Sequence, residues 1–296
     1  MADKDGIRTA KDYCPEIPFR GGQLPKGIKG ISGLDWGMQR RMTHIFQPQD
    51  GKTVMLAFDH GYFMGSTSGL ERLDLLIPEL MDHVDVLMGT RGAFRTCVPS
   101  GNRCGLALRV SSGSSVIDED LSHEVVAVGI EDALRLDADA MAVQVFIGAA
   151  GEKESISNLS HCVNEGIKYG IPTLGVVAVG KQMERTPRYF KLATRMIAEL
   201  GAQIVKSYYC DELEEIVAAC PVPIVLAGGK KLPEKDALEM VRRAMDCGVS
   251  GVDMGRNVFQ SSCPIAMAKA VSMIVHSNAS VSEAFDAYRE FSHAKV

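Results

Sequence analysis

Eight short runs of β-branched and small apolar residues recur from Thr53 onward, and segments of helical pattern separate most of them. The runs are TVMLAF ending at Phe58, VDVLM at Met88, GLALRV at Val110, AMAVQVFI at Ile147, PTLGVVAV at Val179, AQIVK at Lys206, PIVLAG at Gly228 and SGVDMG at Gly255. Between them lie amphipathic stretches such as SNLSHCVNEGIKYG, RYFKLATRMIAELG and EKDALEMVRRAMDCG, several closing on glycine as helix C-termini commonly do. This alternation is the signature of βαβ units around a parallel sheet. An open doubly wound sheet would announce itself with G-x-G-x-x-G after the first strand, whereas Phe58 is followed by DHGYFMG. With 296 residues the chain fits one (β/α)8 TIM barrel, a fold that usually runs to about 250. The expected architecture is therefore a barrel over 51–296, preceded by an N-terminal arm and helix over 1–50.

In that leading segment, Gly21-Gly22, Pro25, Gly27 and Gly30 occur without apolar periodicity and read as an extended arm. Asp35 can cap a helix over Trp36 to Phe46, where Met38, Met42 and Phe46 recur at helical spacing and read as packing. This helix would cover the barrel bottom or meet a partner subunit. The link from Met88 to Gly105 is rich in glycine and proline, so any helix there is short. The tail from Cys263 supplies the eighth helix and one more.

A formal charge of -5 offers no long-range attraction to nucleic acid or to an anionic membrane, so an anionic ligand needs a local basic cluster. The N-terminus is polar, and no stretch approaches the roughly 18 apolar residues of a spanning helix; a cytoplasmic protein is expected. Eight cysteines without a C-x-x-C pair read as reduced thiols. Seven scattered histidines form no H-x-H or H-E-x-x-H arrangement, so no metal is expected.

In such a barrel, the side chains just beyond the C-terminal strand ends converge on one mouth. Here these are Asp59, His60 and Gly61 after the first strand, Arg91 after the second, Gly148 after the fourth, Gly180 and Lys181 after the fifth, and Lys206 closing the sixth. Lys206 follows Ala-Gln-Ile-Val, and desolvation at the end of a buried strand favours a neutral, nucleophilic amine. An isolated lysine there would more simply run its stem along the rim with the ammonium in water; its place in an eight-strand pattern favours chemistry. Strands seven and eight end in AGGKK (Gly228, Gly229) and GVDMGRN (Gly255, Arg256), where barrels commonly hold phosphate through backbone N–H groups. Asp59 and His60 are acid–base candidates, with turn capping and a satisfied rim hydrogen bond as their respective structural alternatives. Asp253 reads as an inward carboxylate that could pair with a barrel lysine, and Cys210 as a small buried hydrophobe.

At these residues the sequence resembles the class I aldolase family that includes archaeal-type fructose-bisphosphate aldolase and aminodideoxyheptulosonate synthase. The shared marks are DHG at Asp59 to Gly61, Lys206, the GG turn after strand seven and the GRN turn after strand eight. It is most similar to the thiolase branch acting in autoinducer-2 breakdown, through LDWGMQ, GKTVMLAFDHGYF, GLER, AGGKKLPE and GVDMGRNVFQ. Sugar aldolases of the family carry a Tyr-Pro-Arg-Gly run after strand five, where this chain has Ala178-Val179-Gly180-Lys181, and GGPK after strand seven, where Lys230 replaces the proline. The resemblance implies acetyl transfer from 3-hydroxy-5-phosphonooxypentane-2,4-dione to coenzyme A, giving acetyl-CoA and dihydroxyacetone phosphate. It implies that Lys206 activates a carbonyl, as a Schiff base or by polarisation, that Asp59 or a neighbour such as His60 moves protons, and that Gly228, Gly229, Gly255, Arg256 and Lys181 hold the phosphate. It also implies coenzyme A as co-substrate with no bound cofactor, and, with the N-terminal arm, a large homo-oligomer such as a decamer. The alternative activity is a Schiff-base aldolase acting on a phosphorylated ketose or related sugar phosphate.

Overall fold

The computed structural model describes residues 27–180 and 183–293. Among these residues ten strands occur in chain order: β1 Thr53–Ala57, β2 Val86–Thr90, β3 Gly105–Arg109, β4 Ser111–Ser112, β5 Val125–Val126, β6 Ala140–Val145, β7 Thr173–Val177, β8 Ile204–Tyr208, β9 Ile224–Ala227 and β10 Gly251–Met254. The helices are α1 Trp36–Ile45, α2 Gly61–Met64, α3 Leu73–Leu80, α4 Arg91–Cys97, α5 Ile130–Arg135, α6 Glu152–Tyr169, α7 Pro187–Glu199, α8 Leu213–Ala219, α9 Glu234–Asp246, α10 Arg256–Phe259, α11 Pro264–Ser277 and α12 Val281–His293. Eight strands close a parallel barrel in the order β1-β10-β9-β8-β7-β6-β3-β2, and each corresponds to one of the eight apolar runs. The helix expected to be short between Met88 and Gly105 is α4, of seven residues. No helix among the described residues is long and apolar enough to cross a membrane.

Because side chains alternate along a strand, each barrel strand sends one set inward and one toward the helices. The inward set (Met55, Ala57, Val86, Met88, Ala107, Ala140, Ala142, Leu174, Val176, Ile204, Val225) forms one cluster with Met42, Ile45 and Phe46 of the α1 segment. The outward set, including Val54, Leu56, Leu87, Leu108 and Val205, packs on the helices as a second, larger cluster. The cluster thus joins α1 to the strand interiors, and polar bonds fix it at the barrel bottom: Arg41 donates to Ala138 O and Gly170 O at 3.2 and 3.1 Å, and His44 Nδ1 lies 2.7 Å from Asp139. Asp35 caps the helix as expected, its carboxylate accepting from Met38 N at 3.1 Å.

Two features differ from the expectation. Ser207 and Tyr208 continue the pairing of β8, opposite Leu226 and Ala227, so Lys206 is the third residue of five and stands deeper than a strand end. The connection from β3 to β6 also carries a small antiparallel hairpin, Ser111 and Ser112 facing Val126 and Val125. Strands of two residues are too short to show periodicity in sequence. The extended arm expected over the first thirty residues lies mostly outside the described residues.

Candidate active site

Lys206 has the inward parity of Ile204, and its Nζ stands 2.8 Å from Asp253 Oδ2 and 3.5 Å from Met88 Sδ. Both residues are buried, at 9% and 1% exposure, so the pair is cut off from bulk water. The ion pair lacks hydrogen-bond alignment, and neither oxygen of Asp253 has an aligned donor among the described residues. Burial pushes the Asp253 carboxyl above its ordinary value, the Asp59 charge adds to this, and Lys206 opposes it without prevailing. The expectation of an inward carboxylate beside a barrel lysine holds. The amine thus stands beside a carboxyl that burial biases toward its protonated form, and addition to a ketone needs such a neighbouring proton carrier.

Asp59 is organised differently. Its Oδ2 accepts from Arg109 Nη1 at 2.8 Å, so its carboxylate serves the barrel interior and does not cap the following turn. Arg109, 3% exposed, also donates through Nη2 to Glu124 Oε1 at 2.7 Å and to Tyr62 Oη at 2.6 Å, and through Nε to Ser111 O at 2.7 Å. Glu124 accepts further from Tyr62 Oη and Ser111 Oγ, each at 2.6 Å. Burial would raise the Asp59 carboxyl, but the Arg109 guanidinium, with His60 and Lys206, holds it below the usual aspartate value. Asp59 is therefore an anion at the mouth.

His60 Nδ1 lies 4.0 Å from Asp59 Oδ1 and is buried without a hydrogen-bond partner among the described residues, contrary to a satisfied rim histidine. Burial lowers its pKa; Asp59 opposes this, while Lys206, Arg256 and Arg109 reinforce it. A neutral imidazole with an unmatched nitrogen can exchange a proton with a bound substrate.

The two glycine turns meet across Asn257. Its Nδ2 donates to Gly228 O at 2.7 Å and Lys230 O at 3.1 Å, and its Oδ1 accepts from Leu232 N at 2.7 Å, which ties the turn after β9 to the one after β10. Gly229 has φ +68°, which disfavours a side chain. At Gly255 a Cβ would fall 2.5 Å from Ala57 O and 2.7 Å from His60 Cε1, so the phosphate-type turn rests directly on the first strand's histidine. Arg256 Nε is buried without an aligned partner among the described residues. Lys231 is engaged by Glu234 at 3.1 Å, and Arg91 by the surface Asp132 at 3.2 Å. Lys181 lies outside the described residues.

The sequence does not single out Arg109, Glu124, Tyr62 or Ser111, and it shows Asn257 only as part of the GVDMGRN turn. Arg109 could have been singled out: it shares the inward parity of Ala107 within an apolar run, the same signal that marks Lys206. On the other side of the mouth a cavity of about 710 Å³ opens between the ends of β6 and β7 and the loop after β4, lined by Leu121, Phe146, Gly148, Ala150, Val179 and Gly180.

Residues 53–261 match the model of the DeoC/LacD family of aldolases. The chain belongs to the DeoC/LacD aldolase family. Among similar DeoC/LacD-type proteins is the 3-hydroxy-5-phosphonooxypentane-2,4-dione thiolase of Enterobacter sp. strain 638, 55% identical over 98% of both chains. The proteins of that name from Yersinia enterocolitica and Escherichia coli K12 are each 53% identical, over 100% of both chains and over 97% and 98% of the two chains respectively. A solved archaeal fructose 1,6-bisphosphate aldolase superposes with TM-score 0.72 at 25% identity, over 81% of this chain and 99% of its own. A Schiff-base-forming fructose-1,6-bisphosphate aldolase gives 0.73 at 24% identity, over 81% and 100%. The aldolase barrel expected from the sequence is thus the fold of this DeoC/LacD enzyme.

Proposed function

We propose that this enzyme transfers the acetyl group of 3-hydroxy-5-phosphonooxypentane-2,4-dione to coenzyme A, giving acetyl-CoA and dihydroxyacetone phosphate. The observation that carries this reading is the 53–55% identity, over almost the whole of each chain, to proteins of that activity. The geometry supports it. Gly228, Gly229, Gly255 and Arg256 hold the phosphate. Lys206 adds to the ketone beside the phosphate-bearing carbon, Asp253 takes and returns the proton, and the former ketone oxygen leaves as water to give the iminium. When the thiolate of coenzyme A bonds to the acetyl carbonyl carbon, the bond from that carbon to the hydroxyl-bearing carbon breaks, and its electron pair passes into the iminium. His60, having taken the proton of the coenzyme A thiol, delivers it to the hydroxyl-bearing carbon, and hydrolysis of the iminium frees dihydroxyacetone phosphate. We further propose that the enzyme works in the cytoplasm, in autoinducer-2 breakdown, as a homo-oligomer.

Incubating the protein with the phosphorylated dione, with and without coenzyme A, tests the reading. Acetyl-CoA and dihydroxyacetone phosphate should form together in equal amounts, and neither without the thiol. Cleavage without a thiol acceptor, and no acetyl-CoA, would show an ordinary aldolase instead.

A further inference from the structure

We infer that the cavity between the ends of β6 and β7 is the binding site for the pantetheine arm of the acyl acceptor. The inference rests on the thiolase reading and follows from the order of strands around the mouth. The phosphate turns close β9 and β10, Lys206 stands on β8, and the next two strands are β7 and β6. In register, Lys206 lies between Val225 of β9 and Val176 of β7. A substrate held by its phosphate at β9–β10, with its nearer ketone at Lys206, must send its far end toward β7 and β6. In the dione that far end is the acetyl group. The acceptor sulfur therefore has to reach the acetyl carbon from the side where the cavity opens.

The cavity suits such an arm in size and chemistry. Its volume of about 710 Å³ falls within the roughly 300–1,000 Å³ of small-molecule sites. Gly148, Ala149, Ala150 and Gly180 keep its floor open, and Leu121, Phe146 and Val179 give it apolar walls. Space is already tight at Gly148, where a Cβ would fall 2.5 Å from Met183 Cε. Glu119 and Asp120 line the cavity edge, the latter with its carboxylate held by Ser122 N at 2.8 Å, and their negative charge repels phosphates. A neutral arm with two amides fits this lining, and the nucleotide phosphates of coenzyme A belong outside it.

Ala150→Phe and Val179→Phe fill the cavity from two different loops, and Ala150 is exposed, so the first change leaves the core intact. Both should raise KM for coenzyme A by about tenfold or more, a loss of about 1.4 kcal/mol of binding. Binding of the dione, titrated without thiol, should stay within about twofold, because its phosphate and Lys206 contacts are untouched. In the unsubstituted enzyme, coenzyme A should slow amide exchange in peptides covering Leu121 and Phe146 to Ala150. An unchanged KM for coenzyme A in both variants, an equal loss of dione binding, or no exchange protection at these peptides would each overturn the assignment while acetyl-CoA formation by the unsubstituted enzyme stands. If that enzyme forms no acetyl-CoA, the thiolase reading itself fails, and this inference with it.

Discussion

Replacing Arg109 by methionine removes the cation shared by Asp59 and Glu124 while keeping an unbranched stem in the barrel. Arg109 is 3%, Asp59 7% and Glu124 3% exposed, so solvent cannot take over the lost role. Breaking a buried ion pair costs about 3–5 kcal/mol because the remaining charge is stranded. Glu124 keeps the Tyr62 and Ser111 hydroxyls, so most of that cost should come from Asp59. Denaturant unfolding at pH 7 should therefore show a loss of about 3–5 kcal/mol. The sign of its pH dependence follows from Asp59, whose folded pKa lies below the ordinary 3.8. That depression contributes stability above pH 3.8, lost as pH falls through the lower folded value. In Arg109→Met burial prevails and the Asp59 pKa rises above 3.8, so acid protonates the stranded group and narrows the gap between variant and parent. Adding Glu124→Gln to Arg109→Met should recover about 1 kcal/mol by removing the second unpaired charge. A single-variant loss under about 1 kcal/mol, or a gap that widens toward pH 4, would refute the claim that Arg109 neutralises these carboxylates.

Lys206→Ala should lower kcat by about 10²-fold or more while the protein stays folded; borohydride added with the dione should attach a substrate fragment to Lys206 in the parent, and full activity without any adduct would exclude the covalent step. Asn257→Ala removes three hydrogen bonds between the phosphate turns, so KM for the dione should rise by about tenfold at a cost of about 1–3 kcal/mol in stability, read by steady-state kinetics and unfolding. Beneath the barrel His276 bonds Asp50 at 2.7 Å and Asp85 at 2.9 Å, and although burial would lower its pKa, the two carboxylates raise it above 6.5. This stabilisation is full below pH 6.5 and is lost as pH rises through the folded value, so His276→Gln should cost about 1–2 kcal/mol at pH 6 and less at pH 9, measured by denaturant midpoints.

The barrel was legible because its strands are nearly continuous apolar runs, and burial on both faces leaves that mark in any parallel sheet. Lys206 stood out as a charge inside such a run. Arg109 is marked in the same way, but at the third strand no glycine-rich turn beside it pointed to a ligand. Glu124 was illegible for another reason: it lies in a polar connection without periodicity, and only folding of the Ser111–Val126 hairpin brings it to Arg109. Asn257 appeared in sequence as part of a phosphate motif, whereas its side chain holds the neighbouring turn, a contact made across two strands far apart along the chain. The apolar run that marks the sixth strand ends at Lys206, while the strand itself continues through Ser207 and Tyr208. Their backbone pairing with β9 shows this.

The two buried cations divide the barrel into parts with different duties. Arg109 cannot lose its proton, and its aligned bonds to Asp59, Glu124 and Tyr62 fix charge and geometry on the β1–β3 side. Lys206 carries a primary amine that can bond to a carbonyl carbon, and its partner Asp253 is a carboxyl that burial biases toward holding a proton, on the β8–β10 side. Exchanging the two cations should therefore abolish activity even though formal charge is conserved. An arginine at position 206 could not form an imine, and a lysine at 109 could not reproduce the forked contacts that hold Asp59 in place.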